Sequence, residues 1–336
     1  MRWLALIILS AACRLAQGQQ TVVCTHCHPT EAREHAATLM ARTLVKGEAA
    51  PLLQPGLSVR MGDYTYRLAG NSYTVSGGGI TMTGRIAWAV GEGDAGQTYV
   101  VEREGRLYES RVTYFARGQG LGNTIGHPVG PPANPEEAFG RVLAPLAVIE
   151  CFSCHSSPRP EKAPDGVTRG SLAWTQTLLP GVQCESCHKG AWQHAEARKS
   201  GDMAHGRLPR LKKATAEEIS EVCGVCHRTW NQIQMKGPRG ILNVRFQPYR
   251  IAHSKCYDAL DGRIACTACH DPHKRTEPAA AVTDKACGAC HAVGTCKVGH
   301  ANCASCHMPK YEIPGSQFRF TDHFIRVVKA NEPYPD

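Results

Sequence analysis

Seven times along this chain, two cysteines separated by two residues are followed at once by a histidine. Thiols and an imidazole at this spacing can hold one haem, because each cysteine forms a thioether with a vinyl group and the histidine binds the iron. The first to seventh motifs are Cys24-Cys27-His28, Cys151-Cys154-His155, Cys184-Cys187-His188, Cys223-Cys226-His227, Cys266-Cys269-His270, Cys287-Cys290-His291 and Cys303-Cys306-His307.

A single such motif could instead be half of a zinc site or a redox dithiol. Neither of these sites requires a histidine directly after the second cysteine in seven separate copies. The pattern therefore predicts seven covalently bound haem c groups, with the seven motif histidines as proximal iron ligands.

The N-terminal stretch MRWLALIILSAACRLAQGQQ begins with one arginine, Arg2, which is followed by a short apolar run and then by small residues. This pattern predicts a signal peptide over residues 1–18 and an exported protein, with the periplasm as the expected compartment. Lipid anchoring at Cys13 is the weaker alternative. No later stretch is apolar for long enough to cross a bilayer.

Cys256 and Cys296 belong to no motif. In an oxidising compartment two leftover thiols are expected to pair, so the sequence predicts a disulfide between them, with two buried free cysteines as the alternative.

The chain carries a formal net charge of +9, which could indicate binding to nucleic acid or to an anionic membrane. Seven haems would bring about fourteen ionised propionates, so we expect most of the basic excess to be internal counter-charge. No basic motif interleaved with aromatic residues indicates a nucleic-acid partner.

Six of the seven motifs lie within less than half of the chain. This length of polypeptide is too short to build an apolar core around each haem. The haems are therefore expected to pack against one another. We predict a mainly α, multihaem cytochrome fold with little regular structure and a small antiparallel β insertion. The predicted divisions are a first haem segment (19–55), a β subdomain (56–120) and a six-haem domain with a ligand-bearing tail (121–336).

Local patterns support this division. Residues 31–48 have helical periodicity, and residues 56–117 contain short β-branched and aromatic runs between glycine-rich turns. Thr215 and Glu218 have the spacing of a capping box at the start of a helix that runs into Cys223.

His273 follows the motif histidine His270 by three residues. Three extended residues span about 10 Å, which is too little to pass around the haem edge and return to the same iron. His273 is therefore expected to bind the iron of a neighbouring haem, so that this segment joins two haems. The pairs His188/His194 and His28/His35 are expected to act in the same way.

From about residue 126 to 327 the chain resembles a family of exported multihaem c-type cytochromes. The resemblance rests on GHPVGP, CFSCHSS, GVQCESCHKGAWQH, EVCGVCHRTW, VRFQPYR, CTACHDPH, NCASCHMPK and FTDHFIRV. The family is related to the tetrahaem electron carrier of ammonia oxidisers and, more distantly, to hydroxylamine oxidoreductase and pentahaem nitrite reductase. This chain lacks the C-x-x-C-K attachment of most pentahaem nitrite reductases, and it has Gln317 where relatives often carry a further histidine.

The resemblance implies distal iron ligands at five histidines outside the motif ends. A second group of three histidines could be either distal ligands or surface residues. The first group is His35, His127, His194, His273 and His323, and the second is His205, His253 and His300.

The favoured function is electron transfer along closely packed, mostly bis-histidine haems. The expected partners are redox proteins or a quinol-linked membrane complex, with self-association possible in principle. The alternative is a reductase or oxidase of a small nitrogen or sulfur compound, for which one haem would lack a distal ligand.

Overall fold

The computed structural model describes residues 24–50, 56–92, 96–116, 120–158, 164–276, 280–292, 296–299 and 301–336. Nine strands in these ranges form one antiparallel sheet. They are β1 (Leu44–Lys46), β2 (Leu57–Met61), β3 (Tyr64–Ala69), β4 (Ser72–Gly77), β5 (Ile80–Val90), β6 (Gln97–Arg103), β7 (Arg106–Phe115), β8 (Gly120–Asn123) and β9 (Gly140–Val142). Two short pairs stand apart, β10 (Ser156–Ser157) with β11 (Leu179–Pro180) and β12 (Lys310–Glu312) with β13 (Arg319–Thr321).

The order from β2 to β8 follows the sequence, so most neighbouring strands are joined by tight turns. Between β3 and β4 the turn is Gly70-Asn71, where Gly70 has a φ of 57° that favours glycine. Along β3, buried and exposed side chains alternate, as expected for a strand with one covered face. The sheet curls until β2 and β8 contact each other.

The central strands are covered on both faces. On one face Tyr99 and Val101 join the core enclosed by the curled sheet. On the other, Trp88 and Val100 pack against Val148 and Phe152 of the helix Pro145–His155, which ends in the second motif. The sheet therefore positions that motif directly.

The prediction of a mainly α chain with a small β insertion is wrong. β1 pairs with β5 and β9 pairs with β7, so the sheet extends from Leu44 to Val142, beyond both ends of the predicted β subdomain. Three of the single-turn helices, Cys184–Cys187, Cys266–Cys269 and Cys303–His307, coincide with C-x-x-C-H motifs, which occupy only about one turn of helix.

The helices are short, and most lie in the C-terminal half. The α-helices are Pro29–Ala36, Pro135–Phe139, Pro145–His155, Leu172–Thr175, Cys184–Cys187, Ala191–Lys199, Ala216–His227, Trp230–Lys236, Gln247–Ile251, Cys266–Cys269, Ala280–Gly288 and Cys303–His307; residues 24–27 are also helical. Short 3-10 turns occupy Gly47–Ala49, Leu211–Lys213, Gly240–Arg245 and Gly262–Ile264. The capping box of Thr215 and Glu218 is confirmed, whereas the helix predicted over residues 31–48 ends at Ala36.

Replacing Trp88 with alanine is expected to lower the free energy of unfolding by about 3–5 kcal/mol. Trp88 is fully buried, contacts Phe152 edge-on at 5.6 Å between ring centroids, and donates a hydrogen bond from Nε1 to Thr175 Oγ1 at 2.9 Å. Chemical denaturation of the haem-loaded protein measures the loss. Leu146→Ala, at an exposed position of the same helix, should change stability by no more than about 0.5 kcal/mol. Equal losses in the two variants would contradict this packing.

Candidate haem-binding and electron-transfer site

Each motif forms one helical or hydrogen-bonded turn that ends at its histidine. In four motifs the backbone N–H of the histidine donates to the carbonyl of the first cysteine, at 2.8 Å for His28 and His188 and 3.0 Å for His270 and His291. The other three motifs lie within the helices that end at His155, His227 and His307. Such a turn brings both sulfurs to one side and the imidazole directly after them, which is the arrangement that thioether attachment needs.

Three motif histidines face a second imidazole from a distant part of the chain. The ring centroids of His28 and His194 are 6.5 Å apart, and those of His270 and His323 are 6.2 Å apart. His188 and His273 are 6.0 Å apart with rings only 7° from parallel. The first, third and fifth motifs therefore each have a proximal and a facing imidazole.

These separations match what an iron atom between two imidazoles requires. A metal binds an imidazole nitrogen at about 2 Å, which places the two ring centroids about 6 Å apart across the metal. Direct packing of two rings without a metal has no such requirement. The three pairs therefore fit axial ligation of three haems.

Oxygen atoms fix the orientation of five rings by contacting Nδ1. His194, His307 and His323 donate from Nδ1 to the backbone carbonyls of Gly206, Arg326 and Thr321, at 2.9, 2.9 and 3.1 Å respectively. His227 Nδ1 lies 3.1 Å from Gln247 Oε1, and His155 Nδ1 lies 2.7 Å from the Thr43 hydroxyl. A partner on Nδ1 orients the ring and leaves Nε2 available to bind a metal, as in many metal sites.

Burial favours the neutral imidazole, which is the form that binds iron. Removal from water, followed by the nearby His270, lowers the pKa of His323 to about 4. Burial is also the largest cause of the lowered pKa values of His155, His188, His227 and His270.

The motif cysteines lie next to one another in a definite spatial order. The neighbouring sulfurs are Cys24 with Cys184, Cys187 with Cys223, Cys223 with Cys266, Cys154 with Cys226, Cys269 with Cys287, and Cys287 with Cys303. Contacts between the helices of the second, fourth, fifth, sixth and seventh motifs follow the same order. The motifs thus form a line in the order one, three, four, five, six, seven, with the second motif beside the fourth.

The remaining predicted distal ligands lie in different surroundings. His127 is buried, but its Nε2 pairs with Glu109 Oε2 at 2.9 Å, so in this structure it faces a carboxylate and not a motif histidine. His35 lies close enough to His188 and His273 that both contribute to its lowered pKa, after burial as the main cause. His127 and His35 therefore remain predicted distal ligands, but in this structure neither faces the imidazole of a motif histidine.

The three histidines left open by the sequence also differ. The side chain of His205 is 84% exposed and pairs with Asp202, which is typical of a surface residue. His253 packs among Trp230, Tyr249 and Phe324, and its buried Nε2 has no hydrogen-bond partner. His300 lies outside the described residues.

The disulfide predicted between Cys256 and Cys296 is not formed in this structure. Both cysteines are exposed free thiols. Cys256 lies close to Cys269 and Cys287 instead, because the loop before the fifth motif folds back toward the fifth and sixth motifs.

Sequence analysis did not identify the residues that orient the rings. Thr43 and Gln247 are separated in sequence by 112 and 20 residues from the histidines that they contact, and no motif marks them. Asp322 directly precedes the predicted ligand His323, so its position could have drawn attention to it.

Within the described ranges, no helix is long and apolar enough to cross a membrane. The same residues contain no cluster of three or more His, Cys, Asp and Glu side chains arranged around a single metal ion, as a zinc site would require.

No protein-family model matches the chain. The chain is similar to the multiheme cytochrome MtrA of Shewanella baltica (strain OS185), with 24% identity over 181 residues that cover 49% of this chain and 47% of MtrA. It therefore spans about half the length of this relative. Among solved structures it is similar to the outer cell wall cytochrome OcwA, with a TM-score of 0.53 and 11% identity, over 91% of this chain and 79% of that one. At this identity the second likeness shows the fold alone. Together with the motifs, these likenesses support a multihaem c-type cytochrome.

Proposed function

We propose that the chain is an exported electron-transfer protein that holds seven haem c groups in one connected series. The observation that carries this proposal is the spatial order of the motif cysteines, in which every motif has at least one other motif beside it. Since each thioether is made at a haem edge, neighbouring sulfurs imply neighbouring haem edges.

A bound haem supplies an iron that alternates between the ferric and ferrous states. The protein's part is to fix the ligands. His28 with His194, His188 with His273, and His270 with His323 would occupy both axial positions at three irons. A fully ligated iron can change oxidation state but offers no site to a substrate, which favours a carrier over a catalyst at these motifs.

Two short segments of the chain, each carrying two histidines, would also set the distances between haems. His188 and His194 lie six residues apart; His188 is the proximal histidine of the third motif, and His194 faces His28 of the first motif. His270 and His273 lie three residues apart; His270 is the proximal histidine of the fifth motif, and His273 faces His188 of the third motif. Each short segment would thus join two haems, which supports rapid electron exchange between them.

The same proposal includes export to the periplasm, guided by the signal-like residues 1–18. Electrons would be exchanged with other redox proteins or with a quinol-linked membrane complex. We also propose that the chain is related to the tetrahaem electron carriers of ammonia oxidisers.

A reductase or oxidase is the second candidate, because four motif histidines lack a facing imidazole within the described part of the chain. They are His155, His227, His291 and His307. Carbon monoxide added to the reduced protein separates the two candidates. A carrier should show little change in its spectrum, whereas one stoichiometric carbon monoxide complex would favour the enzyme.

The denatured, intact protein should have the mass of the processed polypeptide plus seven haem groups, since all seven motifs are complete. Mass spectrometry without reductant measures the number directly, because thioether bonds survive denaturation. A matched variant, Cys303→Ser with Cys306→Ser, should carry six. Any count other than seven in the unaltered protein would contradict the assignment of every motif to a haem.

A further inference from the structure

A fully buried ion pair lies beside the ring of His323. The side chains of Arg250 and Asp322 are both 0% exposed, and the guanidinium contacts the carboxylate through two hydrogen bonds, Nε to Oδ1 at 2.8 Å and Nη2 to Oδ2 at 3.0 Å. Arg326 adds a third bond to Oδ2 at 2.9 Å. Buried charges are costly unless they are paired and hydrogen-bonded, and these three hydrogen bonds satisfy the carboxylate of Asp322.

Asp322 also holds the backbone on both sides of His323, through its carboxylate and through its own N–H. Asp322 accepts a hydrogen bond at Oδ1 from the backbone N–H of Phe324 at 3.0 Å, and its own N–H donates to the carbonyl of Pro309 at 2.9 Å. Ser254 adds two contacts, from its hydroxyl to the carbonyl of His323 at 3.3 Å and from the N–H of Ile325 to that hydroxyl at 2.8 Å.

The tail has no regular structure of its own at this point. β13 ends at Thr321, and residues 322–329 form neither helix nor strand. Arg250 itself is held by Asn243 at 3.2 Å and by the ring of Tyr334, whose centroid lies 4.6 Å from the guanidinium carbon. The segment that carries His323 is therefore positioned by side-chain contacts from residues far away in sequence.

We infer that Arg250 and Asp322 are positioning residues that hold His323 as the second axial imidazole of the haem attached by Cys266 and Cys269. The inference rests on the proposed function, because it assumes that the pair His270 and His323 ligates an iron. A lysine cannot replace the bidentate contact of Arg250, since it offers a single charged nitrogen.

The test is the spin state of the iron in Arg250→Lys, measured by electron paramagnetic resonance on the holoprotein after its mass has shown a full complement of haems. One of the seven haems should change from low-spin to high-spin, and added imidazole should restore the low-spin signal. If Arg250→Lys does not fold, Asp322→Asn carries the same prediction.

Val112→Ala is the matched control for a general loss of stability. Val112 is fully buried in the core enclosed by the sheet. At an equal loss of thermal stability, this control should keep its low-spin haems. High-spin iron in the control to the same extent as in Arg250→Lys would overturn the inference, because the effect would then be merely structural.

His323→Gly separates the inference from the proposed function. It should produce one high-spin haem by itself, and adding Arg250→Lys should produce no second one. If His323→Gly leaves all iron low-spin, the proposed ligation fails. If His323→Gly gives the high-spin haem but Arg250→Lys and Asp322→Asn do not, the ligation stands and the positioning role is refuted.

Discussion

Replacing His273 with methionine is expected to change the haem attached by Cys184 and Cys187, and to leave the haem attached by Cys266 and Cys269 unchanged. His273 lies close in sequence to the second site, yet its ring stacks on His188 at 6.0 Å. Methionine either binds the iron through sulfur, which raises the reduction potential, or leaves it five-coordinate and high-spin. In both cases one bis-histidine signal is lost, as electron paramagnetic resonance and a redox titration would detect.

Two backgrounds identify the affected haem. In a protein lacking the third-motif haem (Cys184→Ser with Cys187→Ser), His273→Met should have no further spectral effect. In a protein lacking the fifth-motif haem (Cys266→Ser with Cys269→Ser), the effect should persist. The reverse pattern would refute the pairing. His205→Met, at an exposed surface position, is the matched control and should leave every haem unchanged.

Removing the fifth-motif haem is expected to cut the series into two electrically separate parts. Cys269 is the neighbour of Cys287, so the sixth and seventh motifs connect to the others through the fifth. In a Cys256→Ser background, the exposed thiol of Cys296 can tether the protein to a gold electrode near the sixth motif. Film voltammetry should then count seven haems in the parent protein and only two after Cys266→Ser with Cys269→Ser.

The control for this experiment removes a haem from the side of the series. The second motif lies beside the fourth and is not on the path between the ends. Cys151→Ser with Cys154→Ser should therefore leave six electroactive haems. If the fifth-motif deletion also leaves six, the order inferred from the cysteine contacts is wrong.

The sequence was most informative where the chemistry is local. Two cysteines and a histidine within one turn of helix depend on only five residues, so their spacing is enough to recognise them. The reach argument for His273 is equally local, because it compares three residues of chain with the width of a haem. The short reach excluded the haem attached by Cys266 and Cys269 as the haem that His273 binds, but it could not identify His188 as the histidine that His273 faces.

The sheet was underestimated because strand pairing is not local. The short β-branched runs between Leu57 and Phe115 were readable, since each run alternates within itself. β1 and β9 are three residues each, and their pairing with β5 and β7 depends on contacts that no single run reveals. The helix Pro145–His155 then covers the outer face, so the sheet became a central layer instead of a small insertion.

Side-chain contacts between distant residues were also beyond the sequence. The pairing of His127 with Glu109 joins positions 18 residues apart, and the contact of Arg250 with Asp322 joins positions 72 residues apart. The predicted disulfide failed for the same reason. Cys256 and Cys296 were paired only because neither belongs to a motif, whereas the fold places Cys256 beside the motif cysteines Cys269 and Cys287.

The most direct test of the account is to inject one electron near one end of the series and detect it at the other end. A photoactive ruthenium complex attached to Cys296, with Cys256→Ser, would deliver the electron near the sixth motif. His194→Met would give the first-motif haem a distinct spectrum and a raised potential, so that it acts as both reporter and trap. The account predicts that the first-motif haem becomes reduced after the flash within a single protein molecule, at a rate independent of protein concentration. A rate proportional to protein concentration, or reduction confined to the haems nearest the label, would contradict it.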